Sequence, residues 1–538
     1  MTLFNCKPVH RIASGFHPDP SICATPQGTY LMVNSSFEYF PGLPVFESDD
    51  GEHWHKIGDA MNRTGQFPYE SMGNSQGIYA PTLRWYDGKY YLIVTNVNKG
   101  NMILTSDDPH AGWSDPIWVD GWPGIDPSLF FDDDGAAYIC GNEGGGPDEP
   151  AGIYLSKIDV TNGTVLTKRR RICGGITGSN PEGPHMYKRD GLYYLMWAEG
   201  GTESGHMENI ARAAAPEGPY EMYPGNPLIT NRSTHLTLQA IGHCDCAHID
   251  AERTLMVFHG TRNNDEYPAQ GWIGREPYAV WFGWKDGWPE LADQSYDCEL
   301  NGRGESLESD VEWVTPSIDK IGWYAVTPVA GNGPGLRNGR IHRPVGMMDG
   351  AVREGAAMDD AHTTTVASTA NPAMIAIRAA AQSFDLSQGA PMIGTRQTDF
   401  HCEFGATLAN ADSLSAGETG IAVYANADHY LTLAVHSADS NGMFRVEATV
   451  HNAGLVTLVG TVSMPVKVSP RLIVRGDERG YAFAVADTGA FAGGERTLGR
   501  VPGKVLSFNN AGGFTGILLG VYAHGRGDVT FADVRYTA

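Results

Sequence analysis

Basic residues are in short supply. Lys and Arg number 38 against 62 Asp and Glu, leaving a formal charge of −24. A field of that sign repels phosphate backbones and anionic lipid, so nucleic acid and membrane surfaces are excluded as partners. Long apolar runs are missing too: none approaches the roughly 20 residues that a bilayer-crossing helix requires. The opening stretch 1–15 has no continuous apolar segment behind its scattered basic residues, so it does not read as a secretion signal. The corresponding expectation is a cytoplasmic protein. Cysteine is sparse, with eight residues at positions 6, 23, 140, 173, 244, 246, 298 and 402 and none of the dense spacing of a disulfide scaffold. Reduced thiols are the simplest expectation. In His243-Cys244-Asp245-Cys246-Ala247-His248 the C-x-C spacing lacks the gap of a zinc knuckle. Apolar spacing near 3.6 is absent over any long stretch, which argues against a helical protein. No phosphate-cradling Gly-x-x-x-x-Gly-Lys occurs.

What remains is a turn-rich β protein. The chain has 538 residues, 41% apolar and 10% aromatic, with 67 glycines. It is long enough for two domains that each bury a core. A turn followed by alternating aromatic and aliphatic residues recurs at Gly28-Thr29-Tyr30-Leu31-Met32-Val33, Gly88 to Val94, Gly135 to Ile139 and Gly191 to Trp197. A fifth, degenerate copy without glycine runs from Glu252 to Phe258. Intervals of 60, 47, 56 and 61 residues between these turns suit one four-stranded blade plus loops, which predicts a five-bladed β-propeller. The repeat stops after Trp284-Lys285-Asp286-Gly287-Trp288-Pro289, and a polar connection follows to about residue 320. Strand-like segments such as 420–424, 430–435 and 444–450 then alternate with turn clusters, predicting a β-sandwich. The expected architecture is all-β, with a propeller over 1–310 and a sandwich over 320–538. The alanine-rich stretch near 351–382 is left as a loop or short helix.

Counting back nine residues from each turn position lands on Asp19, Tyr79, Asp126, Glu182 and, in the degenerate copy, His243. If each copy is a blade, these five occupy equivalent places on the inner strands and three carboxyl groups share the propeller axis. Glycosidic cleavage needs an acid for the leaving oxygen and a carboxylate on the opposite face of the sugar. A third carboxylate can raise the acid's pKa by like-charge repulsion. Taken singly, Asp19-Pro20 and Asp126-Pro127 are ordinary turn-forming pairs and Glu182 an ordinary loop carboxylate. Their common offset is what points to catalysis. Lys168-Arg169-Arg170-Arg171 reads as a solvated blade edge, and Asp132-Asp133-Asp134-Gly135 as a hairpin turn rather than a calcium loop.

Phe16-His17-Pro18-Asp19-Pro20-Ser21, Gly124-Ile125-Asp126-Pro127-Ser128-Leu129-Phe130 and Pro181-Glu182-Gly183-Pro184 resemble the three active-site motifs of glycoside hydrolase family 43. Supporting stretches are Ser36 to Gly42, Gly77 to Leu83, Ala198-Glu199-Gly200-Gly201-Thr202, Ile241-Gly242-His243 and Gly274-Arg275-Glu276, in order over residues 11 to about 290. The resemblance implies inverting hydrolysis that requires no cofactor, with Asp19 as general base, Glu182 as general acid and Asp126 tuning and orienting Glu182. It implies that Arg275 serves substrate hydroxyls. His243 matches a family histidine that in some relatives helps hold a calcium or water cluster near the axis; a satisfied core histidine is the other reading. Phe37 and Tyr79 are candidates for an aromatic wall against a pentose ring, or for ordinary inner-strand packing. Tyr79 stands where many β-xylosidases of the family carry tryptophan, and Cys244-Asp245-Cys246 departs from the usual small and aliphatic residues. The C-terminal part resembles the family's appended concanavalin-like sandwich, where Phe514 in Gly513-Phe514-Thr515-Gly516 is expected to close the pocket.

The expected activity is exo-acting release of α-L-arabinofuranose from arabinoxylan or its oligosaccharides. The alternative is a β-1,4-xylosidase on the same scaffold. A different class is a non-catalytic carbohydrate-binding protein, since propellers and sandwiches also serve as lectin-like modules. A fructan-cleaving enzyme is disfavoured because no Asn-Asp-Pro-Asn-Gly motif is present. The partner is a pentose-containing oligosaccharide or polysaccharide; the sequence carries no signal for oligomeric state.

Overall fold

The computed structural model describes residues 9–63, 65–66, 72–143, 150–177, 179–249, 251–266, 268–298, 311–316, 323–328, 373–378, 392–414, 416–487 and 494–538. Strands dominate, and Phe508–Ala511 is the one α-helix among the described residues. The chain divides into two compact units: Met1–Glu38, Gly42–Met61 and Glu70–Ser306 form the first, and Tyr39–Pro41, Asn62–Tyr69 and Leu307–Ala538 the second.

The first unit is a five-bladed propeller. Blade I comprises Ser21–Ala24, Tyr30–Val33, Gly42–Ser48 and His55–Met61, and blade II comprises Ile78–Tyr86, Lys89–Asn96, Gly100–Ser106 and Ile117–Trp118. Blade III begins with Ile125–Phe131, Ala137–Glu143 and Gly152–Asp159, and blade IV with Glu182–Arg189, Leu192–Glu199 and Met207–Ala213. Blade V is built from Leu238–Ala247, Thr254–Arg262 and Arg275–Lys285, and its outer edge is covered by the N-terminal pair His10–Arg11, which meets Ala279 and Tyr278. A strand from the start of the chain thus completes the last blade and closes the ring. The five inner strands pack consecutively around it.

Aromatic and aliphatic side chains from neighbouring blades interlock between the sheets. Met32, Phe46 and Trp54 of blade I meet Leu255 and Val257 of blade V, while Leu195 and Trp197 of blade IV meet Tyr138 and Cys140 of blade III. Burying each such side chain contributes roughly 1.5–3 kcal/mol, which makes these wedges the main source of cohesion. The seven described cysteines are free and buried, as expected of small core residues.

The second unit is a sandwich of two antiparallel sheets. One orders its strands Trp323–Pro328, Ala373–Arg378, Asp528–Thr537, Cys402–Leu408, Pro470–Asp477, Gly480–Asp487 and Glu495–Pro502. The other orders them Met392–Arg396, Leu518–Arg526, Ala416–Asn426, His429–His436, Met443–Asn452 and Leu455–Pro465. The alanine-rich stretch near 351–382 lies outside the described residues except at 373–378, which form a strand rather than a loop or helix. Its Ile375 and Ile377 are buried, so β-branched packing prevails there.

Near the axis a polar knot ties four blades together. The buried Asp245 of blade V receives Arg84 Nη1 and Nη2 at 2.8 and 3.0 Å from blade II, Tyr187 Oη at 2.6 Å from blade IV, and Ser21 Oγ at 2.5 Å from blade I. The amides of Ile22 and Cys246 donate to the same carboxylate, at 3.1 and 2.8 Å. Burial alone would raise the Asp245 pKa, but Arg84 and His185 override it and hold the group ionised. Removing one partner of such a pair strands the other in the core. Asp245→Ala is therefore expected to cost about 3–5 kcal/mol of stability, readable as a lowered Tm and denaturant midpoint.

Candidate active site

Local backbone geometry brings the candidate residues to the axis. In blades II to V the inner strand carries a β-bulge in which three steps oppose two on its partner. The shifts fall between Ile78 and Pro81, Ile125 and Ser128, Glu182 and His185, and Gly242 and Asp245. Bulges re-aim side chains and are frequent next to active sites. The first extra residue is Tyr79, Asp126, Gly183 and His243 in turn. Asp126 and His243 take left-handed φ of 52° and 55°, and Asp19 of blade I takes 53°. For non-glycine residues this conformation costs on the order of 1–3 kcal/mol and is retained where the surroundings impose it. The offset of nine slips by one residue in blade IV. Its hairpin is one residue shorter, so Glu182 stands just before the bulge and Gly183, with φ of +56°, occupies it. A Cβ at Gly183 would lie 3.0 Å from the His243 ring, so glycine is what admits that imidazole.

Asp19, Asp126 and Glu182 meet electrostatically at the centre. Asp19 is buried; its Oδ1 accepts from Arg275 Nη1 at 2.6 Å and its Oδ2 from Ser35 Oγ at 2.5 Å. Burial would raise its pKa, but the Arg275 guanidinium holds the carboxyl well below the usual carboxylate range. Asp126 accepts the Gly183 amide at 3.1 Å. Burial first, then repulsion from Glu182 and Asp19, pushes its pKa well up. Glu182 is raised to about 7, by burial first and then by the Asp19 charge. Asp126 and Glu182 titrate as a pair, so the proton belongs to the two together. The site thus holds one carboxylate fixed in its ionised form beside a pair that together retain a proton, the division of labour that acid–base cleavage requires.

The remaining candidates are placed as follows. Phe37 is buried and packs in tilted contact with Tyr79, centroids 4.9 Å apart, and with Phe16 at 5.9 Å, with the Arg275 guanidinium 5.5 Å over its ring. The partly exposed Tyr79 donates its hydroxyl to Ser75 O at 2.9 Å. Arg275 is committed to Asp19 and also reaches Thr202 Oγ1 at 3.2 Å. His243 Nδ1 lies 3.7 Å from Asp19 Oδ1. Phe514 belongs to the second unit, follows the helix Phe508–Ala511, and is 37% exposed.

Two site residues escape the sequence pattern. His259 Nδ1 accepts the Asp19 amide at 3.0 Å, and its Nε2 faces Thr202 Oγ1 at 3.2 Å. His206 stacks on His259 with centroids 5.1 Å apart. Burial lowers the pKa of His206, His243 and His259 alike, so these imidazoles are neutral and Arg275 is the countercharge of Asp19. Both missed residues, His206 and His259, lie outside the inner strands, where an offset count does not look. Asp19, His243 and His259 offer donor atoms within 4.8 Å of one another. Calcium takes six to eight oxygen ligands. Here the only carboxylate already binds Arg275, and both nitrogens of His259 are engaged, so these side chains do not form a calcium shell.

Glu208 of blade IV braces the blade V bulge. Its fully buried carboxyl accepts the Cys244 amide at 3.0 Å, and burial first pushes its pKa well above 4.5. Folded Glu208 therefore keeps a proton that the unfolded chain releases above about pH 4.5. Its contribution is complete below that pH and is lost as pH rises toward the folded pKa. Glu208→Gln keeps an acceptor for Cys244 and has no proton to lose. It is expected to raise Tm at pH 8 while changing it little at pH 4, as thermal melts at the two values will read.

A ring of blades with buried carboxyls of opposed protonation at its axis defines a glycosidase. Residues 9–289 match the model for Glycosyl hydrolases family 43, and residues 360–537 that for the Beta xylosidase C-terminal Concanavalin A-like domain. The chain belongs to glycoside hydrolase family 43. It is 31% identical over 524 residues to a non-reducing end α-L-arabinofuranosidase of Bacteroides ovatus, covering 96% of this chain and 91% of that protein. A xylosidase/arabinosidase of Butyrivibrio fibrisolvens is 38% identical over 295 residues, 52% of this chain and 55% of that one. The solved structure of Bacteroides ovatus xyloglucan PUL GH43B superposes with a TM-score of 0.77 at 29% identity, covering 99% of each chain. A xylan β-1,4-xylosidase from Bacillus halodurans gives 0.79 at 24% identity, over 99% of this chain and 100% of that one, and speaks to the fold alone.

Proposed function

We propose that this enzyme removes α-L-arabinofuranose from the non-reducing ends and branches of arabinoxylan or its oligosaccharides, with inversion at the anomeric carbon. The observation that carries this is the opposed protonation of Asp19 and Glu182. In this mechanism a water oxygen attacks the anomeric carbon and gives its proton to Asp19. The bond to the leaving oxygen breaks as Glu182 donates its proton there. Asp126 shares that proton and, through the Gly183 amide, fixes the chain beside Glu182. Arg275 keeps Asp19 ionised, and the Phe37 and Tyr79 rings offer an apolar wall to one face of the sugar. The full-length likeness to an arabinofuranosidase supports the choice of sugar.

A second reading is a β-1,4-xylosidase, favoured by relatives named xylosidases, including that of Bacillus subtilis at 31% identity over 336 residues. The test is time-resolved proton NMR on an arabinoxylan oligosaccharide of defined linkage. Released arabinose appearing first as the anomer opposite to that in the substrate supports the proposal. Release of xylose instead would favour the second reading, and a retained anomer would overturn the inverting mechanism. The enzyme is further proposed to act in the cytoplasm on imported oligosaccharides; recovery of activity in culture medium rather than in cell extract would oppose this.

A further inference from the structure

The segment that delivers Glu182 to the axis is gripped by the end of the neighbouring strand, and the grip centres on Glu199. This carboxylate has no solvent exposure. Its Oε1 accepts the Ile176 amide and, at 2.7 Å, the indole Nε1 of the fully buried Trp197. Its Oε2 accepts the Thr177 amide at 2.8 Å and Thr177 Oγ1 at 2.6 Å. One residue further along, the Gly200 amide donates to Ser179 O at 3.0 Å. Glu182 itself pairs with Ala198, the residue before Glu199. Gly175, at φ +79°, permits the close approach, since a Cβ there would sit 2.8 Å from Glu199 Oε1. A buried carboxylate is costly unless donors surround it. Here four donors do, three of them from the stretch just ahead of Glu182 and the fourth, Trp197, from the strand that pairs with it.

We propose that Glu199 is a positioning residue for proton donation by Glu182. It seats Gly175, Ile176 and Thr177 against the same strand end that fixes Glu182, so the acid's carboxyl is held where the leaving oxygen will be. This rests on Glu182 being the general acid. A general acid must lie within hydrogen-bond reach of the atom it protonates, and a misplacement of about 1 Å can cost on the order of 10²-fold. Glu199→Gln keeps the shape but turns one acceptor into an amide that faces an N–H donor, so the segment must shift. Thr177→Val removes one donor with no change of charge and little change of volume.

The distinguishing measurement is leaving-group dependence. Glycosides of 2,4-dinitrophenol depart without protonation, 4-nitrophenyl glycosides need some, and an arabinosylated xylo-oligosaccharide needs it fully. For Glu199→Gln we expect kcat on the oligosaccharide to fall about tenfold or more, with KM little changed and the dinitrophenyl α-L-arabinofuranoside lowered less than about threefold. Thr177→Val should show the same ordering with smaller losses, and it carries the test if Glu199→Gln does not fold. Glu182→Ala run alongside separates the two ideas. If Glu182→Ala loses far more on poor leaving groups while both other variants lose equally on all substrates or lose nothing, the role given to Glu199 is overturned and that of Glu182 stands. If Glu182→Ala itself loses equally on all substrates, the assignment of Glu182 falls and the Glu199 proposal with it.

Discussion

Replacing Asp19 by Asn is expected to lower kcat by about 10³–10⁴-fold while leaving KM close to the parent's. Asp19 is the one carboxyl of the three that its surroundings keep ionised, through Arg275 Nη1 at 2.6 Å. Neither Asp126 nor Glu182 can substitute, because burial and then repulsion from neighbouring carboxylates, Asp19 among them, hold both toward their protonated forms. The amide of Asn has almost the same shape and still accepts from Arg275, so the pocket should keep its form and lose only its basicity. A glycosyl fluoride sharpens the measurement. Fluoride departs without a proton, so hydrolysis of an arabinofuranosyl fluoride depends on the base and is indifferent to the acid. The loss in Asp19→Asn should therefore persist on the fluoride. Near-parental fluoride hydrolysis by this variant would mean that water is activated elsewhere.

Much of this site could be read from the sequence, for a physical reason. A blade is one hairpin repeated, and the turn that starts each second strand lies a nearly constant number of residues after the bulge that aims the inner strand at the axis. Counting from Gly28 and Gly135 therefore finds Asp19 and Asp126 directly, and both take the same left-handed backbone. The count reaches Glu182 through the shorter hairpin of blade IV, one residue away from its geometric equivalent Gly183. What pattern cannot reach is anything whose partner is distant in sequence. His259 meets Asp19 across 240 residues, and Arg84 meets Asp245 across 161. Asp245 lay inside the Cys244-Asp245-Cys246 stretch that departs from the usual residues, yet nothing local shows that it gathers four blades. The closure of blade V by His10–Arg11 is equally nonlocal, since a two-residue strand carries no periodicity of its own.

The bulges and the knot act together. Ser21, His185 and Asp245, which take part in the axial network, stand two or three residues beyond Asp19, Glu182 and His243 along the chain. In blades I, IV and V a buried polar contact thus anchors the chain just after the residue it presents. This division lets the presented carboxyls carry strained backbone and unfavourable protonation, because the neighbouring contacts fix the register. It also explains why the charged centre of a strongly acidic protein contains two arginines, the partly buried Arg84 and the buried Arg275, each assigned to one ionised aspartate.

Removal of the acid should leave a different signature from removal of the base. Glu182→Gln is expected to lower kcat on an arabinoxylan oligosaccharide by about 10²–10³-fold, with a much smaller loss on a dinitrophenyl glycoside and almost none on the fluoride. The pH profile supplies the independent check. Because the Glu182 carboxyl is raised to about 7, parental kcat/KM should fall as pH rises through that value, as the proton needed by the leaving group is lost. At the acid end Asp19 stays ionised below the usual carboxylate range, so the rate should hold down to about pH 4. In Glu182→Gln there is no proton to lose, and the alkaline limb should vanish. An unchanged alkaline limb in that variant would assign the titrating acid to Asp126, the other member of the proton-sharing pair.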